Sequence, residues 1–407
     1  MATMRHESTT VVRRAGGVSR PSSFAPWLIF SDDWGRHPTS CQHLIRHLLP
    51  EQPVVWVNLI GTRRPALDWA TARRGFEKLG QWLRPSADPS LPANLRVFSP
   101  RVWPGFGRPL ERRFNRAWLS RQLRPWLERL PEPPVAITTM PTAADLVGEL
   151  PVAHWVYYCV DDFGAWPGID QVAAHEMEDR LIDTADVLVA ASEPLCDRIA
   201  SRGRTSHLLT HGVDMGFWSP SRSRLSGYVT PDFIPPSLRD LSPPFVVFWG
   251  LIDRRLDLDI LRELSATLTE GTIVLIGPED RPDPALADLP RVVRRPAVSL
   301  SDLPALAAAA SVLVMPYADA PVTRAMQPLK LKEYLATGKP AVVRDLPATR
   351  PWADCLDVAA TPRDFAAAVQ RRLATGLPPS QRSSRARLTA EDWSAKATEF
   401  ARLVRGD

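Results

Sequence analysis

A chain of 407 residues exceeds what one hydrophobic core usually holds, so two domains are expected. Its 44% apolar and 23% charged residues are those of a soluble globular protein, and no apolar run reaches the roughly 20 residues a spanning helix needs. Cys41, Cys159, Cys196 and Cys355 are far apart with no CxxC or Cys/His pairing, which argues against a zinc site or a dense disulfide framework and fits a reducing cytosol.

In chain order, residues 1–23 carry charge but no apolar core and read as a disordered leader. Residues 24–218 then alternate short apolar runs ("PWLIFSD", "PVVWVNL", "VAITTM", "WVYYCVDD", "VLVAAS") with helix-like stretches such as "TSCQHLIRHLL". That alternation predicts a parallel sheet covered on both faces. Asp32 and Asp33 end the first run beside His37 and Ser40, and Asp161 and Asp162 end a later one. Between Gly61 and Leu130 lie 15 Lys/Arg against five Asp/Glu, a balance of +10 in a chain of net +5, so the remainder sums to −5. Trp69, Phe76, Trp82, Trp103, Phe106, Trp118 and Trp126 are interleaved there with Arg73, Arg74, Arg84, Arg101, Arg112, Arg113 and Arg121. The segment reads either as a solvated basic face or as a patch for an anionic membrane surface. Without an RRM, KH or zinc-finger signature it does not read as a nucleic-acid site.

Proline and serine break every period in 219–244, which marks a linker. The strand–helix pattern restarts in 245–385 with "PFVVFWG", "TIVLIGP", "VLVMPY" and "PAVV", and the amphipathic end, 386–407, is anchored by Trp393. Two doubly wound α/β domains follow, with ligands expected at the carboxyl ends of the strands. In "QPLKLKEYLATGKPAVV", Pro328 and Gly338 bound a helix whose first turn carries Lys330. A cation there opposes the helix dipole, so an anion is expected between them.

"PLKLKEYLATGKPAVV" resembles the donor signature of GT-B glycosyltransferases, notably bacterial enzymes similar to glycosyltransferase family 4 and the GumK-like glucuronosyltransferases. "TADVLVA" with "SEPL", "LLTHGVDMGFW" and "FWGLIDRRLDLDIL" match in the same order, so the resemblance runs from about Trp27 to Arg402. It implies two Rossmann-like domains facing a cleft, 24–218 binding the acceptor and 245–385 the donor, with 386–407 crossing back onto the first. The donor is then a nucleotide diphosphate sugar, with UDP expected. The acceptor is a lipid-linked or saccharide precursor at the cytoplasmic membrane surface, and no resident cofactor or metal is implied. The diphosphate would lie on the helix N-terminus with Leu329 and Lys330, and Glu333 would take the ribose hydroxyls. Gly250 would let the backbone approach the phosphates, with Arg255, or in competition Arg254, as a second cation.

The chain departs from the family at two places. Leu251 replaces a frequent arginine, and Ala325 replaces the first of a frequent glutamate pair, which leaves Met326 and Gln327 nearest the sugar. That arrangement is closer to the inverting pattern, which needs a general base. Asp161 is the first candidate, Asp162 the second and His37 a weaker third, while Asp33, His37 and Ser40 would shape the acceptor side. His211, Gly212 and Asp214 in "THGVD" would form a hinge. The competing readings are a UDP-sugar epimerase of the same fold and a non-catalytic sugar-nucleotide-binding or membrane scaffold protein.

Overall fold

The computed structural model describes residues 25–35, 39–59, 91–103, 105–166, 169–218 and 233–406. The leader 1–23, His37, residues 219–232 of the predicted linker and the aromatic and basic residues between Ile60 and Ser90 lie outside them.

The first apolar runs form a seven-stranded parallel sheet. Its strands are β1 (Trp27–Ser31), β2 (Val54–Asn58), β3 (Leu95–Phe98), β4 (Val135–Thr138), β5 (Trp155–Cys159), β6 (Val187–Ala190) and β7 (His207–Leu208), in the order β3-β2-β1-β4-β5-β6-β7. The second half adds β8 (Phe245–Trp249), β9 (Ile252–Asp253), β10 (Thr272–Ile276), β11 (Glu279–Asp280), β12 (Val292–Arg295), β13 (Val312–Met315), β14 (Ala341–Arg344) and β15 (Asp357–Ala359). Six of these make a parallel sheet ordered β12-β10-β8-β13-β14-β15, while β9 and β11 pair separately. Register is set by buried pairs: Ile29 lies opposite Trp56 and Ile137, and Val247 opposite Val274 and Leu313. β1 and β8 are buried at every position, as central strands covered on both faces must be.

The helices that matter below are α1 (Ser40–Leu48), α2 (Pro109–Leu127), α3 (Gln171–Thr184), α4 (Glu193–Ser201), α5 (Leu258–Thr267), α6 (Leu329–Ala336), α7 (Pro362–Thr375) and α8 (Trp393–Arg405). α8 packs on the first sheet. Trp393 stacks on His43 of α1 at 4.8 Å, and Phe400 meets Trp27 edge-on at 6.0 Å. Trp393 and Phe400 are buried in the first core, where truncating an aromatic costs about 3–5 kcal/mol.

Val213 and Trp218 already pack in the second core, Trp218 stacking on Trp249 at 5.5 Å, so the chain leaves the first core before the predicted boundary at 218. Leu388 belongs to the second core and Trp393 to the first. The two crossings bind each other: Val213 N–H donates to Glu391 O at 2.9 Å, and Trp393 N–H to Val213 O at 3.2 Å. In each sheet the strand order reverses beside its first strand, between β1 and β4 and between β8 and β13. Crevices open at the carboxyl ends there.

Candidate active site

At the second reversal, β8 ends in Trp249 and Gly250, and β13 leads to Tyr317. Lys330 reaches between them: its Nζ donates to Tyr317 Oη at 2.5 Å and lies over the Phe248 and Tyr317 rings at 4.7 and 5.1 Å. Among the described residues it has no carboxylate within ion-pair distance. Gly250 makes this possible. At φ 140° only glycine is comfortable, and a Cβ there would fall 2.3 Å from Lys330 Nζ. Gly277, after β10, is as constrained, since its Cβ would meet Gly250 O at 1.8 Å.

α6 begins one residue later than the sequence suggests. Pro328 is its N-cap with extended backbone and no side-chain cap, leaving the first N–H groups uncovered by a capping oxygen. Leu329 and Lys330 are the first two helical residues. Glu333, one turn on, accepts from Trp249 Nε1 at 3.3 Å. Burial pushes its carboxyl above the usual range, opposed by that indole bond and the Lys330 charge.

Arg255 is buried and stands at the interface of the two units. Its Nε donates to Asp253 at 2.9 and 3.1 Å, one Nη1 contacts Met326 Sδ at 3.6 Å, and its guanidinium lies over the Trp166 ring of the first unit at 4.7 Å. Arg254 is exposed. Between the two arginines expected from sequence, Arg255 is therefore the one placed where the two units meet.

Trp166 closes the loop after β5 that carries Asp161 and Asp162. Burial raises the Asp161 carboxyl from its ordinary value to about 7; Arg255 opposes the rise, and Asp32, Asp162 and Glu178 add to it. Asp162, the second candidate base, is engaged in an ion pair and a turn cap. Its Oδ1 accepts from Arg198 at 2.7 Å and caps the following turn by accepting from Ala165 N–H at 3.2 Å. Arg198, on α4, also pairs at 2.9 Å with fully buried Glu178 of α3, whose other oxygen accepts from Tyr157 Oη at 2.7 Å. The loop is thus pinned through Asp162, and Asp161 is its other carboxylate, within electrostatic reach of Arg255.

At the first reversal, Ser31 and Thr139 hydroxyls bond at 2.7 Å. Asp33 lies just beyond β1, its carbonyl accepting from Gln42 Nε2 at 3.2 Å. Ser40 is buried at the start of α1, so it shapes that wall from behind.

On the opposite face of α6, Lys332 is buried and donates to Glu391, His211 O and Thr210 Oγ1. Burial lowers its ammonium to about 8 and the neighbouring His211 imidazole to about 3. A cavity of about 400 Å³ lies on this side, lined by Gln327, Lys332, Trp352 and Glu391 among others. Gln327 thus borders that cavity, whereas Met326 borders Arg255.

Residues 243–375 match the family model described as Glycosyl transferases group 1. The TuaH protein of Bacillus subtilis (strain 168), provisionally named a teichuronic acid biosynthesis glycosyltransferase, is 27% identical over 233 residues. That alignment covers 53% of this chain and 55% of TuaH, so it spans about half of the relative. The match to the group 1 glycosyltransferases therefore covers the second unit of the chain. The chain's GT-B fold is shared with sucrose-phosphate synthase from Thermosynechococcus elongatus at TM-score 0.68 and 16% identity, over 94% of this chain and 98% of that one. Anabaena Alr3699/HepE in complex with UDP-glucose matches at TM-score 0.56 and 14% identity, over 93% and 94%.

Within this fold, six residues that build the site or brace the elements around it escape a sequence reading: Trp166, Arg198, Trp249, Gly277, Tyr317 and Lys332. Trp249 and Tyr317 do carry a signal, since one ends an apolar strand and the other closely follows one. Lys332 carries none, because its partner Glu391 is 59 positions away.

Proposed function

We propose that the chain transfers a sugar from a nucleotide diphosphate sugar, with UDP as the nucleotide, to a hydroxyl of a lipid-linked or polysaccharide precursor. The observation that carries this reading is Lys330, held beside Gly250 at the uncapped N-terminus of α6 with no carboxylate partner among the described residues. A diphosphate there gains the helix N–H groups, the dipole and the ammonium together. Glu333 accepts the ribose hydroxyls in the position where it now accepts from Trp249. The HepE structure with UDP-glucose supports the donor class, and the teichuronic acid biosynthesis assignment of TuaH supports the acceptor class.

Asp161 is the base. Its carboxylate takes the proton of the acceptor hydroxyl as that oxygen bonds to the anomeric carbon. The bond from that carbon to the β-phosphate oxygen breaks, and its electron pair leaves with UDP. Lys330, Arg255 and the α6 N-terminus stabilise the leaving diphosphate. With Asp161 near 7, the ionised base is available at neutral pH. Each transfer inverts the anomeric centre.

The test is a mass-spectrometric screen of UDP- and GDP-sugars against membrane lipid extract and soluble saccharides, followed by NMR of the product. The expected result is a UDP-sugar-dependent glycosylated product of inverted configuration. Sugar-nucleotide interconversion without an acceptor would replace the reading by an epimerase, and a retained configuration would remove the base from Asp161.

A further inference from the structure

The exposed large apolar side chains are not scattered. Of the eight among the described residues, Trp103, Leu110, Phe114 and Trp118 fall on one stretch of the first unit, on α2 and the loop before it. Leu110, Phe114 and Trp118 are spaced by four on α2 and so form one stripe. Asn115, Leu119 and Leu123 are buried on the other side. Phe114 and Trp118 pack edge-on at 4.8 Å, 47% and 38% exposed.

The loop is strapped to the helix. Trp103 N–H donates to Asn115 Oδ1 at 2.7 Å, Asn115 Nδ2 donates back to Trp103 O at 3.0 Å, and Gln122 exchanges two bonds with the Arg101 backbone. Trp103, 52% exposed, is therefore displayed on a fixed frame rather than on a loose loop.

The arginines of α2 divide by direction. Arg112 pairs with Asp145 at 2.8 Å and with Glu176 at 3.2 Å, and Arg116 with Glu149 at 3.3 Å, so these two hold the helix to the domain. Arg113 and Arg121 are exposed on the apolar stripe's side, and Arg101 is exposed beside Trp103. α2 precedes β4, so it runs against the strand and its N-terminus lies at the carboxyl edge of the sheet, where Asp145 follows β4. The Leu110 end of the patch therefore lies at the edge that also carries the Asp161 loop.

We infer that this strap and helix dock the protein on an anionic lipid bilayer, with Trp103, Leu110, Phe114 and Trp118 in the headgroup–acyl boundary and Arg101, Arg113 and Arg121 on lipid phosphates. Apolar side chains ringed by exposed arginines match the layered polarity and negative charge of such a surface. An occupant that was a second copy of the chain would bring these arginines against each other. The inference deepens the proposed function by placing a lipid-linked acceptor at the cleft rim, yet its test needs no turnover.

The experiment is flotation of the full chain with phosphatidylcholine vesicles, with and without phosphatidylglycerol, across a salt series. Each arginine near the surface contributes about fivefold in partition. Wild type floats with the anionic vesicles at low salt and keeps a salt-resistant fraction from aromatic insertion. Arg113→Glu with Arg121→Glu lowers partition at low salt by roughly tenfold or more, and Phe114→Ser with Trp118→Ser removes the salt-resistant fraction. UDP affinity by calorimetry stays unchanged in both, which also shows that they are folded. No wild-type flotation at low salt, equal binding to neutral and anionic vesicles, or variants that float like wild type would overturn the inference. So would a dimer that Phe114→Ser with Trp118→Ser dissociates in the absence of any vesicle binding. Flotation with no UDP affinity in wild type would instead remove the donor reading and leave the docking surface standing.

Discussion

Lys330 and Lys332 stand two residues apart on α6 and have opposite environments. Lys332 is 2% exposed and is met by a carboxylate, a carbonyl and a hydroxyl, all from the two crossings that join the units. Lys330 is half-buried and is met by a tyrosine hydroxyl and two aromatic faces, with no carboxylate within ion-pair distance among the described residues. Sequence spacing cannot separate them, because both are lysines on one short amphipathic helix. The fold does: Lys332 is bound up in joining the units, whereas Lys330, beside a glycine loop and an uncapped helix end, is poised for a ligand's charge.

The largest effect belongs to the chemistry opposite Lys330. Asp161→Asn should lower turnover by roughly 10² to 10⁴ while leaving UDP affinity intact. If turnover survives, the loop's role is reduced to shape. Next in size, Lys332→Met should destabilise the protein by about 3 kcal/mol in urea unfolding, since it leaves half-buried Glu391 with Lys396 alone at 3.0 Å and strips the buried His211 carbonyl of its donor. UDP affinity should move little in that variant, and a loss as large as that expected at Lys330 would erase the contrast between the two faces. Glu333→Ala should weaken UDP by about 1.5–3 kcal/mol, the range for a hydrogen bond to a charged group. Gly250→Ala should weaken it by about tenfold, about 1.4 kcal/mol, by displacing Lys330 Nζ from where the new Cβ would stand.

A graded effect is expected on pH dependence. With its carboxyl at about 7, Asp161 is protonated below that value, so kcat/KM should fall about tenfold per unit on the acid side and level above it. The raised value also means that ionisation opposes folding. The stability penalty from Asp161 is absent below the ordinary carboxylate range and complete above about 7, and Asp161→Asn should relieve it at neutral pH. A profile whose acid limb is unchanged in Asp161→Asn would assign the limb to another group.

Much of this was legible in the sequence. Continuous apolar runs such as "FVVFW" read as buried parallel strands because both faces of each sheet are covered. Lys330 stood out because a cation in a first helical turn is electrostatically misplaced without an anion. The rest depends on contacts between distant segments. Asp161 and Asp162 are equivalent as text and are told apart only by Arg198, 36 residues beyond Asp162. Arg255 and Arg254 are likewise adjacent, and burial of one beside Asp253 and Trp166 decides between them. In the basic segment, charge counting weighed Arg112 and Arg116 with Arg113, but two of the three are turned inward to carboxylates.

The most direct measurement is isothermal titration of UDP into Lys330→Ala and Lys332→Met, each verified as folded by circular dichroism. Removal of a charge-assisted contact at Lys330 should weaken UDP by about 10- to 100-fold, with Lys332→Met staying within about threefold of wild type. Unchanged affinity in Lys330→Ala would contradict a diphosphate at the α6 N-terminus.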